Sequence, residues 1–339
     1  PKQHPQTNFR IDKKPICAMP EILMPIVETL DAYRAIYHRD DIWRPVIEAI
    51  CRRYPYLNQP CVRGPDGSHI VYFVGQSYVV KLFVPLFAQD FAAESLVARH
   101  LAGKIDLEIP EILAEGQFAG WDYLVMTRIS GTPLQFVWGD LLPDDRRAIA
   151  VDVGRLIAFL RKVPISGLES LGSDWRQFLA AQIADLTAHH LPVPELTWNP
   201  EQQFPSFFDS LEGLIDQPFQ PVLLLADITR EHVFVNCSEG KWRMVGYLDF
   251  GDAMLGHPDY EMIAPGLEIA GGDPELLQSL LTAAGYPENT HNQCLSRRLM
   301  AYTLIHRYVD LAAVLSLVPQ ARTAANLDEL ASLVWPLSH

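Results

Sequence analysis

No stretch of this chain stays apolar for the roughly 20 residues that a bilayer span requires. Its strongest runs, YVVKLFV from Tyr78 and PVLLLA from Pro221, are short and suit buried strands. The opening PKQHPQTNFRIDKK lacks the apolar core of a secretory signal, so a cytoplasmic location is the expectation. Cysteine is sparse: Cys17, Cys51, Cys61, Cys237 and Cys294 are scattered, odd in number and without a CxxC pair. Neither a disulfide framework nor a structural zinc site is expected, and the thiols read as reduced and mostly packed. Internal repeats and low-complexity tracts are also missing. So is any excess of positive charge, with 27 Lys+Arg against 41 Asp+Glu and a formal net charge of −14. That acidity is unevenly divided: residues 1–132 hold 14 basic against 15 acidic side chains, leaving 13 against 26, or −13, for residues 133–339. A field of that sign repels nucleic acid and draws in cations. Solubility alone accounts for it equally well. Neither a nucleic-acid nor a membrane partner is expected.

What is present is an ordinary globular composition, 49% hydrophobic and 20% charged over 339 residues, enough for one large bilobal unit or two modest domains. Helical spacing of Ile22, Ile26 and Leu30, then of Ile42, Val46 and Ile50, predicts two short helices within 22–54, ended by PYLNQP. From His69 the reading changes to strand: HIVYFV, the turn GQS and YVVKLFV form a hairpin rich in β-branched and aromatic residues. A helix over 88–102 follows, then two strands, IPEILAEGQFAG and WDYLVMTRI, and a hinge at SGTPL. Helices are predicted over 143–162, 173–190 and 206–215, and again from about 274 to the end. Between them, residues 221–252 read as strand, loop, strand, tight turn, strand and loop. The fold class is therefore α+β. A helical extension (1–59) precedes a small antiparallel sheet with one packed helix (60–130), and a larger, mainly helical part (131–339) follows.

Chemistry gathers in that strand-rich segment. Folding the hairpin about Ser238 to Gly240 sets His232 opposite residue 248 or 249, making His232 and Asp249 cross-strand neighbours about 5 Å apart at Cβ. Asp227 ends the apolar strand PVLLLA and brings a second carboxylate to the same end. An Asp in a loop after a strand is commonly an Asx turn or a helix cap, so Asp227, Asp249 or Asp252 alone carries little weight. Together, two carboxylates and an imidazole suit a divalent cation and a base. Far away in sequence, Lys81 is the lone charge inside YVVKLFV and shares a face with Val79 and Phe83 by strand alternation. It could be an edge lysine placed against aggregation. Glu94, however, falls on the apolar stripe of the next helix with Phe91, Ala98 and Leu101, and a buried carboxylate needs a partner. A Lys81–Glu94 ion pair answers both problems. A hydrolase using Asp and His fits less well, because no Ser or Cys lies in an elbow-like context.

The stretch from Asp227 to His232, followed by Asp249, Phe250 and Gly251, resembles the catalytic loop and metal-binding motif of the aminoglycoside phosphotransferase family, including its hygromycin-type and choline-kinase-like relatives. That family's loop reads HxDxxxxN; a short hairpin and a D[FW]G-like motif follow, and LGHPDYE at 255–261 echoes its GxGDPxYD-like run. Two positions depart from the pattern: Leu225 stands where the family usually has His, and His232 where it usually has Asn. The second replaces an oxygen ligand by an imidazole with one lone pair.

The resemblance covers roughly residues 60–310 and implies a bilobal, protein-kinase-like fold with ATP and Mg²⁺ as cofactors. By it, Asp227 would be the catalytic base and Asp249, with His232, would hold the metal. Lys81, fixed by Glu94, would hold the ATP phosphates. The loop RGPDGSH would lie over those phosphates through Gly64, Gly67 and Ser68, although it lacks a full GxGxxG and also reads as an ordinary turn. Backbone groups near Met126 and Arg128 would meet adenine. Only residues 252–256 separate the DFG from HPDYE, leaving no room for the activation segment of a protein kinase, so a small-molecule substrate is expected. The acidic C-terminal part favours a cationic one, with an aminoglycoside leading over the macrolides, choline, homoserine and sugars that the superfamily also phosphorylates. The alternative is a nucleotide-binding pseudokinase in which His232 has ended catalysis.

Overall fold

The computed structural model describes residues 24–172, 174–211 and 218–337. Cys17, the predicted helix start at Ile22 and part of the predicted helix over 206–215 lie outside them.

The first sheet is antiparallel, in the order β1 (Cys61–Arg63), β2 (Ile70–Val74), β3 (Tyr78–Leu82), β5 (Trp121–Thr127), β4 (Ile112–Phe118). Alternation along β5 sets its two faces. Trp121, Tyr123 and Val125 point to one apolar cluster, whereas Leu124 and Met126 point to another. The first cluster is completed by helices α1 (Leu30–Tyr37) and α2 (Asp40–Cys51), whose Trp43, Val46, Ile47 and Ile50 are fully buried against the sheet. The described part of the N-terminal extension therefore shares one core with the strands. On the opposite face lies α3 (Ala88–Leu101), which places Phe91 against Phe83, Leu124 and Met126. The predicted stripe at the chain's start does not form a core face: Ile26 is 85% exposed and Leu30 41%. Pro25 has no N–H to give to a helix, so α1 starts only at Leu30, where the Thr29 hydroxyl accepts from Ala32 N at 3.2 Å.

The second lobe is built on a long helix, α4 (Pro143–Leu160), followed by α5 (Trp175–His190) and the short α6 (Phe204–Asp209). A three-stranded sheet lies beside α4, in the order β6 (Thr132–Pro133), β8 (Val233–Ser238), β9 (Lys241–Tyr247). A two-stranded ladder joins β7 (Val222–Leu224) to β10 (Met254–Gly256). Next come the turn α7 (Ile263–Pro265) and helices α8 (Pro274–Ala283), α9 (Gln293–Leu304), α10 (Leu311–Leu317) and α11 (Leu327–Val334). α4 and α8 approach so closely that a Cβ on Gly154 would lie 2.5 Å from Leu280 O, which requires glycine there. The β8–β9 hairpin closes at Ser238↔Lys241 through Glu239 and Gly240, both at positive φ, the backbone of a two-residue primed turn. Leu248 N donates to His232 O at 3.1 Å, so His232 stands opposite residue 248 as the folding argument required. The fold class is α+β and bilobal: a small antiparallel sheet flanked by helices, and a larger, mainly helical lobe.

The described cysteines differ from the expectation of packed thiols. Cys51 is buried and Cys61 half-buried, but Cys237 and Cys294 are exposed, because one sits near a hairpin tip and the other at the start of α9. Among the described residues, no helix is long and apolar enough to cross a membrane.

Candidate active site

β3 lies in the middle of its sheet, so Lys81 is not an edge lysine. It stands among Phe83, Leu124 and Met126, and its Nζ reaches Glu94 Oε2 at 2.6 Å and Asp249 Oδ2 at 3.1 Å. Lys81 is 5% exposed and Glu94 2%. Burial disfavours the charge on Lys81, but the carboxylates of Asp249 and Glu94 outweigh it and hold the ammonium above the ordinary lysine pKa. On Asp249, burial is likewise overcome, by Lys81 first and then by His232, so its carboxyl lies well below the usual range. One ammonium thus joins β3, α3 and the segment after β9.

The loop after β7 is held from behind. Leu225 N and Ala226 N donate to the two carboxylate oxygens of Glu261, each at 3.0 Å, and Glu261 is itself buried. Ala226 sits at φ +61°, a left-handed conformation that costs an alanine about 1 kcal/mol or more. The Asp227 carbonyl that follows accepts from Thr229 N (2.9 Å), His232 Nδ1 (3.0 Å) and Tyr247 Oη (3.1 Å). These bonds aim the Asp227 side chain, whose Oδ2 lies 3.3 Å from His232 Nδ1. Burial pushes the Asp227 carboxyl up to about 6; His232 opposes the shift, while Asp252 and Asp249 add to it. On His232 burial is outweighed by Asp249 and Asp227, which favour the imidazolium. Because Nδ1 faces a carbonyl oxygen it is the donor, and Nε2 has no partner among the described residues.

Asp249 stands at φ +72°, and its Oδ1 accepts from Gly251 N at 3.1 Å. Gly251 in turn lies against the start of α3, where a Cβ would come within 3.2 Å of Asp90 Cβ. Asp252 turns the other way. Its carboxylate accepts from Tyr308 Oη, and Arg307 Nη2 donates to its carbonyl at 2.8 Å, so the segment between α9 and α10 holds it. Beside Asp227 opens a cavity of about 280 Å³, lined also by Gln135, Glu231 and the Arg230–Glu268 ion pair (2.8 Å). A larger hollow of about 490 Å³ lies between α4 and α8 around Arg155 and Ser279, among none of these groups.

Residues 63–291, about two thirds of the chain, match the sequence profile described as the phosphotransferase enzyme family, APH. The chain belongs to that family. It is accordingly a phosphotransferase with an alcohol group as acceptor, acting on a small molecule. Among curated proteins it is 28% identical over 206 residues to viomycin phosphotransferase of Streptomyces vinaceus, covering 57% of this chain and 67% of that protein. A shorter match, 28% over 120 residues, is to lysine-specific demethylase JMJ21 of Arabidopsis thaliana; it covers 30% of this chain and only 13% of that protein. Among solved structures, the GDP complex of wild-type aminoglycoside 2'-phosphotransferase-IIIa superposes with a TM-score of 0.66 at 16% identity, over 83% of this chain and 97% of that one. The streptomycin–ATP–APH(2")-IIa ternary complex gives 0.57 at 17%, over 84% and 97%.

In this phosphotransferase the loop at residues 64–69 and the end of β5 carry the remaining expected site residues. Gly64 N donates to Val71 O (2.8 Å), and a Cβ there would lie 2.9 Å from Val71 Cγ1, so Gly64 serves the β1–β2 pairing. Gly67 N donates to Tyr37 Oη at 2.7 Å. Of the three loop residues, Ser68 alone keeps both its N–H and its hydroxyl without a described partner. Met126 is ladder-paired to Val79 and Ile112. Arg128 N donates to Ser77 O at 2.8 Å and its guanidinium covers the Phe73 ring at 4.0 Å, so the next N–H without a described partner is that of Ile129.

Asp249 is the carboxylate that a divalent cation would meet here, and His232 Nε2 would join it only as the neutral ring, against the imidazolium that Asp249 and Asp227 favour. Among the described residues no group of three or more His, Cys, Asp or Glu surrounds one point. The carboxylate fits Mg²⁺, which is bound by one or two carboxylates together with phosphate oxygens and water, whereas an imidazole is a poorer donor to it. Sequence reasoning missed Glu261 as a clamp, the His69–Asp90 contact (3.1 Å) and the hydroxyls of Tyr33 and Tyr37. A lone acid inside the run YEMIAP was a usable signal for Glu261, for the same reason that singled out Glu94.

Proposed function

We propose that the phosphotransferase moves the γ-phosphoryl group of ATP, with Mg²⁺, to a hydroxyl of an aminoglycoside-like or other amine- or sugar-alcohol substrate. The nucleotide lies between the lobe at 60–130 and the lobe at 131–339. The observation that carries this reading is the contact of the buried Lys81 ammonium with both Glu94 and the half-buried Asp249, a cation and an anion presented side by side between the two lobes. In phosphoryl transfer the protein's work is placement and charge neutralisation. Lys81, fixed by Glu94, holds the α and β phosphates, and the loop adds Ser68, with Gly64 and Gly67 giving the loop its course while their N–H groups bond to Val71 and Tyr37. Adenine meets the backbone near Met126 and Arg128. Asp249, with His232 as a neutral ring, would hold Mg²⁺, which would supply positive charge to phosphate oxygens. Asp227 orients the acceptor hydroxyl and takes its proton, a role suited to a carboxyl pushed up to about 6 by burial.

Streptomycin and ATP share a complex in one fold relative, and another relative is named for viomycin, which supports an amine-rich acceptor. The carboxylate of Glu231 beside Asp227 supports a cationic one, Glu268 being already paired with Arg230. The test is a screen for nucleoside diphosphate release, ADP from ATP and GDP from GTP as a second donor, over aminoglycosides, other amine alcohols and sugars, with and without Mg²⁺ and with Asp227→Asn as the blank. Mg²⁺-dependent release that drops about a thousandfold in Asp249→Ala, roughly 4 kcal/mol of barrier, is the expected result. Full turnover in a clean Asp249→Ala preparation overturns the assignment.

A further inference from the structure

The loop at residues 64–69 is poorly equipped to hold its own shape. Residues 65–68 are exposed, and the loop's single backbone hydrogen bond to a strand is at its first residue, Gly64. What fixes it comes from α1. Tyr37 Oη accepts from Gly67 N at 2.7 Å and faces His69 O at 3.4 Å, while Tyr33 Oη donates to Ser68 O at 3.1 Å. The two tyrosines are one helical turn apart, their rings meet edge to face at 5.5 Å, and both are buried. Arg63, just before the loop, lies over the Tyr37 ring at 4.8 Å and donates to Tyr37 O at 3.2 Å. At the loop's far end, His69 Nε2 meets Asp90 Oδ2 at 3.1 Å on α3, the helix that carries Glu94. Packing alone would be served by phenylalanine at both positions, yet both hydroxyls are spent on the loop's backbone.

We propose that α1 is a working part of the nucleotide site, in which Tyr33 and Tyr37 are positioning residues that fix this loop from its outer side and so set how tightly the nucleotide is held. The proposal rests on the nucleotide reading above. A loop already ordered loses less conformational freedom when a nucleotide arrives, so the tyrosine hydroxyls act on affinity without touching the ligand. Tyr37 also occupies Gly67 N–H, which leaves Ser68 to offer an N–H and a hydroxyl, both without a described partner, to phosphate oxygens.

The test compares the full chain with Tyr37→Phe and with the Tyr33→Phe/Tyr37→Phe pair, which keep the rings and remove only the hydroxyls. Amide hydrogen exchange across residues 64–70 is measured without nucleotide, and kinetics are measured with ATP and an accepted alcohol. Exchange in the loop should rise about tenfold, and the KM for nucleotide about fivefold in the double variant, as expected for loss of two or three hydrogen bonds. Turnover at saturating nucleotide and the KM for the acceptor should stay within about twofold, a split that general damage to the fold would not produce. Unchanged loop exchange, or unchanged nucleotide KM beside faster exchange, overturns the proposal. A parallel fall in turnover with a rise in acceptor KM does so too. If the double variant fails to fold, Tyr33→Phe alone is read by the same criteria. If the parent chain binds no nucleotide, the functional reading fails, and loop exchange in the variants still decides whether α1 orders the loop.

Discussion

Removing Lys81 would leave the buried carboxylate of Glu94 and the half-buried one of Asp249 without their shared cation, and breaking a buried pair such as Lys81–Glu94 from one side costs about 3 kcal/mol or more. Lys81→Met should therefore lower stability by that amount in urea unfolding, as well as abolish turnover. Adding Glu94→Gln should restore most of the stability, because the stranded charge is removed, while turnover stays lost. Equal stability of Lys81→Met and the parent would show that the ammonium is not buried between the two acids. Glu261 offers a second residue-scale test. An amide in its place has one acceptor oxygen for two N–H donors, so Glu261→Gln should leave Leu225 N or Ala226 N unsatisfied, at a cost of about 1–3 kcal/mol. With the strained Ala226 released, Asp227 loses its aim, and turnover should fall about thirtyfold with nucleotide affinity unchanged. A loss of nucleotide affinity equal to the loss of turnover would contradict that division of labour.

At the scale of elements, what could be read from the sequence followed from periodicity. The alternation that put Lys81 on a face with Val79 and Phe83, and the stripe that put Glu94 with Ala98 and Leu101, are local properties of a strand and a helix. The pairing of those two faces followed from the cost of burying either charge alone. The apparent stripe through Ile26 and Leu30 failed because spacing carries no information about Pro25 or about which face finds a partner. The contacts of α1 with the loop and of Glu261 with the strand end join residues about 30 or more apart, and no local pattern encodes them. His190 is another such tie. At the end of α5, its Nε2 donates to Leu304 O (2.6 Å) and its Nδ1 accepts from Leu311 N (3.2 Å), so a neutral ring staples α5 to α9 and α10. Burial pushes its pKa down to about 4, against about 6.5 in an unfolded chain. The unfolded state takes the proton first as pH falls, so this stability is complete above about 6.5 and drains away towards 4, with about 2 kcal/mol gone by pH 5. His190→Gln offers a similar donor and acceptor without titrating. Urea unfolding at pH 7.5 and 5.0 should show a drop smaller by about 2 kcal/mol in the variant than in the parent. An identical drop would mean that His190 is not held neutral.

For the molecule as a whole, charge divides by lobe more sharply than the cores do. One face of the first sheet shares an apolar cluster with α1 and α2, the other holds Phe83, Leu124 and Met126, and the end of α3 joins the large cluster of the second lobe through Val97, Ala98 and Leu101. Residues 1–132 balance to −1 and residues 133–339 to −13, so the excess belongs to the lobe that bears Asp227, Glu231 and Glu268. A field from many separated carboxylates acts over the Debye length, about 30 Å at 0.01 M salt and 10 Å at 0.1 M, whereas a hydrogen bond inside the cavity hardly senses that change. The kcat/KM of a polycationic acceptor should therefore fall about fivefold between those ionic strengths, and that of an uncharged sugar alcohol should not. The comparison is made at saturating nucleotide, so that salt effects on the anionic donor do not enter. If both acceptors respond alike, the acidity of the larger lobe serves solubility, and recognition of a cationic acceptor rests on Glu231 and Asp227 at contact range alone.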